Sequence, residues 1–183
     1  MKLLLHVCCA PCSVSCIPFL REEGIELSLF WYNPNIHPYT EYTKRRDTVI
    51  QHTKNLDLNL IMEDQYGLRD FIRALEEEKS LQGSGHSCFD FPQRCKYCYR
   101  LRMEKTALAT KENGCDAFCT TLLISPYQNH ELLKEEAERA AEKYQTSFLY
   151  RDFRPLFREG QRKARTLGLY MQKYCGCIFS EKP

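Results

Sequence analysis

Short apolar runs alternate with helix-patterned stretches along this chain, and that alternation constrains its fold more than any other feature. Residues 2–7 (Lys-Leu-Leu-Leu-His-Val) form an apolar run suited to a buried strand, and residues 26–32, 58–63, 116–123 and 147–150 read the same way. The segments between them are long enough to cross from one parallel strand to the next. Helices are expected over 13–23, 39–56, 68–79 and 92–113, with Gly24 and Gly114 closing two of them. Ser125-Pro126-Tyr127-Gln128 has the form of a capping box with proline at the first helical position, opening a helix that would bury Leu133, Ala137, Ala140, Ala141 and Tyr144. A basic, helical segment follows Arg154. This order predicts an α/β fold: a single open, mainly parallel, Rossmann-like sheet with helices on both faces, in one domain over 1–183.

Parallel sheets of this kind collect ligands beyond the carboxyl ends of their strands. At the end of the first strand, where a glycine-rich phosphate loop would otherwise stand, the chain reads Cys8-Cys9-Ala10-Pro11-Cys12. Without glycine, that edge suits metal or redox chemistry rather than phosphate cradling. There are 11 cysteines among 183 residues, an odd number in a chain long enough to need no disulfide staples. No apolar run is long enough to span a membrane, and His6 interrupts the opening leucines as no secretory signal does. A cytoplasmic protein with no membrane association is expected, and in that compartment clustered cysteines are metal ligands or redox groups.

Seven of the cysteines form three groups: Cys8, Cys9 and Cys12; Cys95 and Cys98; Cys175 and Cys177. The spacing lets paired sulfurs converge on one centre, and a helix start at Cys95 and Cys98 favours the thiolate form. Four thiolates saturate a zinc or cubane iron–sulfur site, leaving three for a second metal with an open position. That surplus points to catalysis. Cys16, Cys115 and Cys119 fall in helix or strand patterns and read as small core residues. Loop 80–92, which carries Cys88 and His86, and the tail 174–183 are expected to close over the metal site.

Among the other polar residues, His6 is either a hydrogen-bonded core histidine or part of the site. His37, in Asn33-Pro34-Asn35-Ile36-His37-Pro38, either lines the site or serves the turn structurally, and His52 and His130 are expected to be surface helix positions. Asp152 stands between a strand end and Arg154, as a proton donor, a metal ligand or the arginine's partner. Net charge is only +2, but the basic residues are uneven. Arg94, Lys96, Arg100, Arg102, Lys105 and Lys111 face one acid in their stretch. Arg151, Arg154, Arg158, Arg162, Lys163, Arg165 and Lys173 face two. Tyrosines interleave with both runs, which are either solvated faces or a phosphate-binding surface around the metal site giving salt-sensitive binding of nucleic acid.

Four blocks then acquire a joint meaning: His6-Val7-Cys8-Cys9-Ala10-Pro11-Cys12-Ser13, Tyr32 to Pro38, Arg94-Cys95 with Cys98-Tyr99, and Tyr174-Cys175-Gly176-Cys177 with Phe179-Ser180. In this order they resemble the cobalamin-independent epoxyqueuosine reductases of the QueH type, as do Thr120 to Tyr127 and Asp152-Phe153-Arg154. The resemblance runs essentially end to end. Its one local departure is Tyr170-Met171-Gln172 where the family usually has Tyr-Arg-Gln, which removes a basic contact.

The resemblance implies the last step of queuosine synthesis, in which the epoxide of epoxyqueuosine at the tRNA wobble position is reduced and deoxygenated. It also implies a [4Fe–4S] cluster beside one additional iron. Spacing assigns Cys8, Cys9, Cys95 and Cys98 to the cluster and Cys12, Cys175 and Cys177 to the second iron, with an exchange of Cys12 for Cys8 or Cys9 equally open. Cys12 and Asp152 are the catalytic candidates. His37 or Tyr127 would contact the base, and Arg154, Arg162 and Lys163 the RNA. No flavin or nicotinamide fingerprint is present, so electrons would come from an external one-electron donor to what is expected to be a monomer. Two other readings compete: an iron–sulfur tRNA thiolation enzyme, which would want a glycine-rich ATP loop after the first strand, and a zinc-stabilised nucleic-acid-binding module.

Overall fold

The computed structural model describes residues 1–82 and 92–181. Cys88, His86 and most of the expected loop 80–92 lie outside them. Four strands, β1 (Lys2–His6), β2 (Glu26–Trp31), β3 (Leu60–Met62) and β4 (Ala117–Thr120), form an all-parallel sheet in the order β3-β2-β1-β4. Among the described residues six helices connect and cover it: α1 (Ala10–Glu22), α2 (Tyr39–Lys54), α3 (Leu68–Gln82), α4 (Gln93–Glu112), α5 (His130–Tyr144) and α6 (Phe157–Thr166). The fold is α/β, and among the described residues no helix is long and apolar enough to cross a membrane.

Leu3, Leu4 and Leu5 are all fully buried, so β1 is covered on both faces, as a central parallel strand must be. Phe30, Trp31 and Phe118 fill the layers around it, each worth about 1.5–3 kcal/mol of apolar burial. On one side α1 packs with α2 and α6; elsewhere α4 packs with α5 and against β1 and β4. The strand order reverses between β1 and β4. Chain leaving β1 at that switch runs directly into Cys8.

Several elements differ from the sequence expectation. The helix after β1 starts at Ala10, not at residue 13, with Pro11 in its first turn, so Cys12 is helical rather than part of a loop. β4 stops at Thr120, whose hydroxyl accepts from the Leu122 amide and bends the chain into a 3-10 turn over Thr121–Ile124. With β4 so short, the expected fifth strand at 147–150 reduces to one parallel bridge, Phe118 to Phe148. The capping box does not form. Asn129 caps α5 instead, accepting from Leu132, while Gln128 is drawn away to accept from the Tyr99 hydroxyl at 2.6 Å. His52 and His130 are buried rather than superficial. His52 lies on the inner side of α2, and His130 bonds the Ser125 carbonyl at 3.1 Å.

Candidate metal centre

Three local devices aim the first cysteine group. The Cys8 amide donates to Thr121 Oγ1 at 3.1 Å, and that hydroxyl lies 3.3 Å from Cys8 Sγ. Asn33 holds the preceding Val7 carbonyl at 2.9 Å, and His6 is fixed between Thr120 Oγ1 (2.9 Å) and the Tyr32 carbonyl (3.2 Å). Helix α1 begins immediately afterwards, with Cys9 at its cap and Cys12 in its first turn. The Sγ atoms of Cys8, Cys9 and Cys12 consequently lie within 4.8 Å of one another. Among the described residues, no other trio of histidine, cysteine or acidic side chains converges so closely. Hydrogen bonds from Cys12 and Cys9 hold the Cys8 thiol well below its ordinary range. Burial raises Cys9, and sharing its proton with Cys8 raises Cys12. Gln172 closes the group, its Nε2 donating to Cys9 Sγ at 2.8 Å and lying 3.6 Å from Cys12 Sγ.

The second pair stands on the first turns of α4. Cys98 packs with Cys177 against Phe71 and Leu75, so a tail cysteine and a helix cysteine share one apolar pocket. Burial pushes the Cys98 thiol up to about 12 and the Cys177 thiol to about 11. Beside them Arg102 is only 3% exposed, and its Nη2 lies 3.1 Å from Cys98 Sγ. Among the described residues no carboxylate pairs with this guanidinium. A buried cation without a counter-charge is costly, so the pocket is built for sulfur that carries negative charge, as metal-bound thiolate does. The donor set therefore fits a thiolate-bound metal or iron–sulfur group.

The tail cysteines are held by a polar latch. Arg45, buried on α2, donates to Glu41 Oε1 at 2.6 Å, to the Tyr174 carbonyl at 2.9 Å and to the Cys175 carbonyl at 3.1 Å. The Tyr170 hydroxyl donates to Glu41, and the Tyr174 hydroxyl to the His37 carbonyl. The His37 amide in turn donates to Gly176 O at 2.7 Å. Gly176 sits at φ +108°, and a Cβ there would come within 3.0 Å of Ile36 Cγ1 and 3.1 Å of Arg45 Nη1.

Cys8, Cys12, Cys95 and Cys175 all open onto one cleft of about 860 Å³, so the structure brings members of all three groups together. The grouping by spacing set Cys12 apart from Cys8 and Cys9; in the fold its sulfur lies beside theirs. Tyr127 reaches the same cleft, but Arg154, Arg162, Lys163, Asp152 and His37 do not line it. His37 is fully buried between Tyr66 and Phe71, and its Nε2 bonds Pro34 O at 3.0 Å. It shapes the loop that receives the tail rather than meeting a base. Asp152 is gripped by Arg154 at 2.6 Å, which holds its carboxyl near a pKa of about 2, so it has no proton to donate at neutral pH. Sequence reading gave Arg45 no role and Gln172 none as a support, and it placed Arg102, Arg158 and Arg165 in the basic runs around the metal site without singling them out. The Glu41–Arg45 spacing of four and the 158–161–165 helical stripe were the available signals.

The family model described as "Epoxyqueuosine reductase QueH" matches residues 3–183. The chain belongs to the QueH family. Epoxyqueuosine reductase QueH of Thermotoga maritima is 36% identical over 185 residues, covering 97% of this chain and 88% of the relative. QueH of Dehalococcoides mccartyi is 32% identical over 180 residues, covering 98% and 92%. Among solved structures, the U34-tRNA thiolase NcsA from Methanococcus maripaludis with its [4Fe-4S] cluster aligns with a TM-score of 0.57 at 15% identity, over 100% of this chain and 62% of that one. That likeness is one of fold. In this chain, Cys8, Cys12, Cys95 and Cys175 are the cysteines that line the cleft.

Proposed function

We propose that the cleft is where epoxyqueuosine in tRNA is reduced to queuosine, making the chain an iron–sulfur-dependent oxidoreductase of queuosine synthesis. The observation that carries this reading is the convergence of Cys8, Cys9 and Cys12 within 4.8 Å, at a cleft that Cys95 and Cys175 also reach, in a QueH-family chain. Converting the epoxide to an alkene consumes two electrons and two protons and releases the oxygen as water.

Cys8, Cys9, Cys95 and Cys98 would hold a [4Fe–4S] cluster, and Cys12, Cys175 and Cys177 an additional iron. Bound there, these groups supply single electrons and a Lewis-acid position for the departing oxygen. The chain's own residues do the rest. Gln172 orients the Cys9 and Cys12 sulfurs through its amide. Arg102 offsets negative charge on Cys98, and Arg45 holds the Cys175 peptide against the cleft wall. Reducing equivalents come from an external one-electron donor.

The test is iron and sulfide content of anaerobically prepared protein beside turnover of epoxyqueuosine-bearing tRNA under reduction. About five irons and four sulfides per chain, with queuosine formed, are expected. A colourless zinc-loaded protein without turnover would overturn the reading in favour of a structural zinc module.

A further inference from the structure

Helix α6 contributes part of the wall of the cleft. Arg158, Gln161 and Arg165 all line it, three and four residues apart, and so occupy one helical stripe. The cations on this stripe differ from their neighbours on the same segment. Arg154 is bound to Asp152 at 2.6 Å and Lys163 to Glu159 at 2.7 Å, and neither lines the cleft. Among the described residues, Arg158 and Arg165 make no ion pair, and Lys173, also on the cleft, makes none. Arg162, also without an ion pair among the described residues, does not line the cleft, so α6 carries unpaired charge on both sides and the cleft side holds Arg158 and Arg165. Unpaired positive charge on the cleft side is what an anionic ligand requires.

Two further observations narrow the ligand. Tyr127 is 84% exposed at the cleft, supported edge-on by Phe157 at 6.0 Å, which leaves its ring faces free to stack on a planar partner. Arg158 and Arg165 are seven positions apart, so they stand about 10 Å apart along the helix axis. That is too far for one phosphate and suits successive phosphates of a strand. The wall is also rigid relative to the sulfurs. Gly160 lets α6 close onto α1, where a Cβ would lie 3.1 Å from Ser15 Oγ, and Ala164 is fully buried. Helix α1 is the one that carries Cys12.

We propose that Arg158, Gln161 and Arg165, with Tyr127, form a single-stranded RNA site that grips the loop carrying the substrate base. Tyr127 stacks on one unpaired base, the two arginines neutralise backbone phosphates, and Gln161 supplies hydrogen bonds between them. The inference rests on the reductase reading for its choice of RNA. It adds that the loop, not the free nucleoside, is what the cleft recognises.

The experiment measures binding of an unmodified anticodon stem-loop to the iron-loaded protein across a salt series, alongside turnover of epoxyqueuosine-bearing tRNA by the wild type. Arg158→Gln with Arg165→Gln should flatten the plot of log affinity against log salt by about 1.4, at roughly 0.7 per phosphate. Tyr127→Ala should weaken binding about tenfold without altering the slope, and Tyr127→Phe should restore it. Arg162→Gln with Lys163→Gln should leave the slope unchanged. An unaltered slope in the Arg158 and Arg165 double variant, with its thermal stability intact, overturns the site. If the wild type still turns over in that case, the reductase reading survives it. A flattened slope in a wild-type background that never reduces the epoxide would uphold the site and sink the reductase reading instead.

Discussion

The two ends of this chain deliver cysteines to one cleft by opposite means. Cys8, Cys9 and Cys12 hang from a strand whose three leucines are fully buried and from the helix that follows it. Their placement is a by-product of the apolar core. Cys175 and Cys177 arrive on a segment with no strand or long helix, held by Arg45, Glu41, His37 and two tyrosine hydroxyls. The first arrangement is robust because many contacts share the load. The second depends on a few directional bonds around one buried ion pair, so it can fail one residue at a time.

Arg45→Ala probes that dependence most strongly. It strands the Glu41 carboxylate, 8% exposed, beside unpaired tail carbonyls. A loss of about 3–5 kcal/mol in denaturant unfolding is expected, with thiol labelling at Cys177, buried in the wild type, accelerated over wild type more than at Cys9. Equal acceleration in the two regions would erase the contrast. Leu5→Ala attacks the other end. A cost of about 2–5 kcal/mol is expected from the cavity, spread over the whole molecule, with no selective exposure of the tail thiols in native-state labelling.

Gly176→Ala sharpens the comparison with a smaller perturbation. A side chain at φ +108°, crowded by Ile36 and Arg45, should cost about 1–3 kcal/mol and reduce iron content before it reduces helix content by circular dichroism. Asp152→Asn sets the floor. Its carboxyl sits at about 2 because Arg154 holds it, so whatever stability it gives is present above the ordinary carboxylate range and lost as pH falls through that value. The pair is solvent-exposed and screened, so melting at neutral pH should move by no more than about 2 °C. The pH profile of turnover should not shift; a displaced acid limb would return Asp152 to the chemistry.

Much of this was legible in the linear order of residues. Apolar period and crossover length are local properties, and among the described residues they located the four strands of the sheet and the six helices, while also placing at 147–150 a fifth strand that is only one bridge. Cysteine spacing is local too, and it marked the three groups that meet at the cleft. What the residue order left open was direction and partnership. Whether Arg158 or Arg162 faces the sulfurs depends on the rotation of α6 about its axis, which is set by Gly160 and Ala164 packing on α1. Whether Asp152 is an acid or a salt-bridge anion depends on where Arg154 swings. Arg45 and Glu41 meet the tail across some 130 residues of intervening chain. Composition and spacing decide which elements and ligands exist; only packing decides which way a side chain points and which distant group satisfies it.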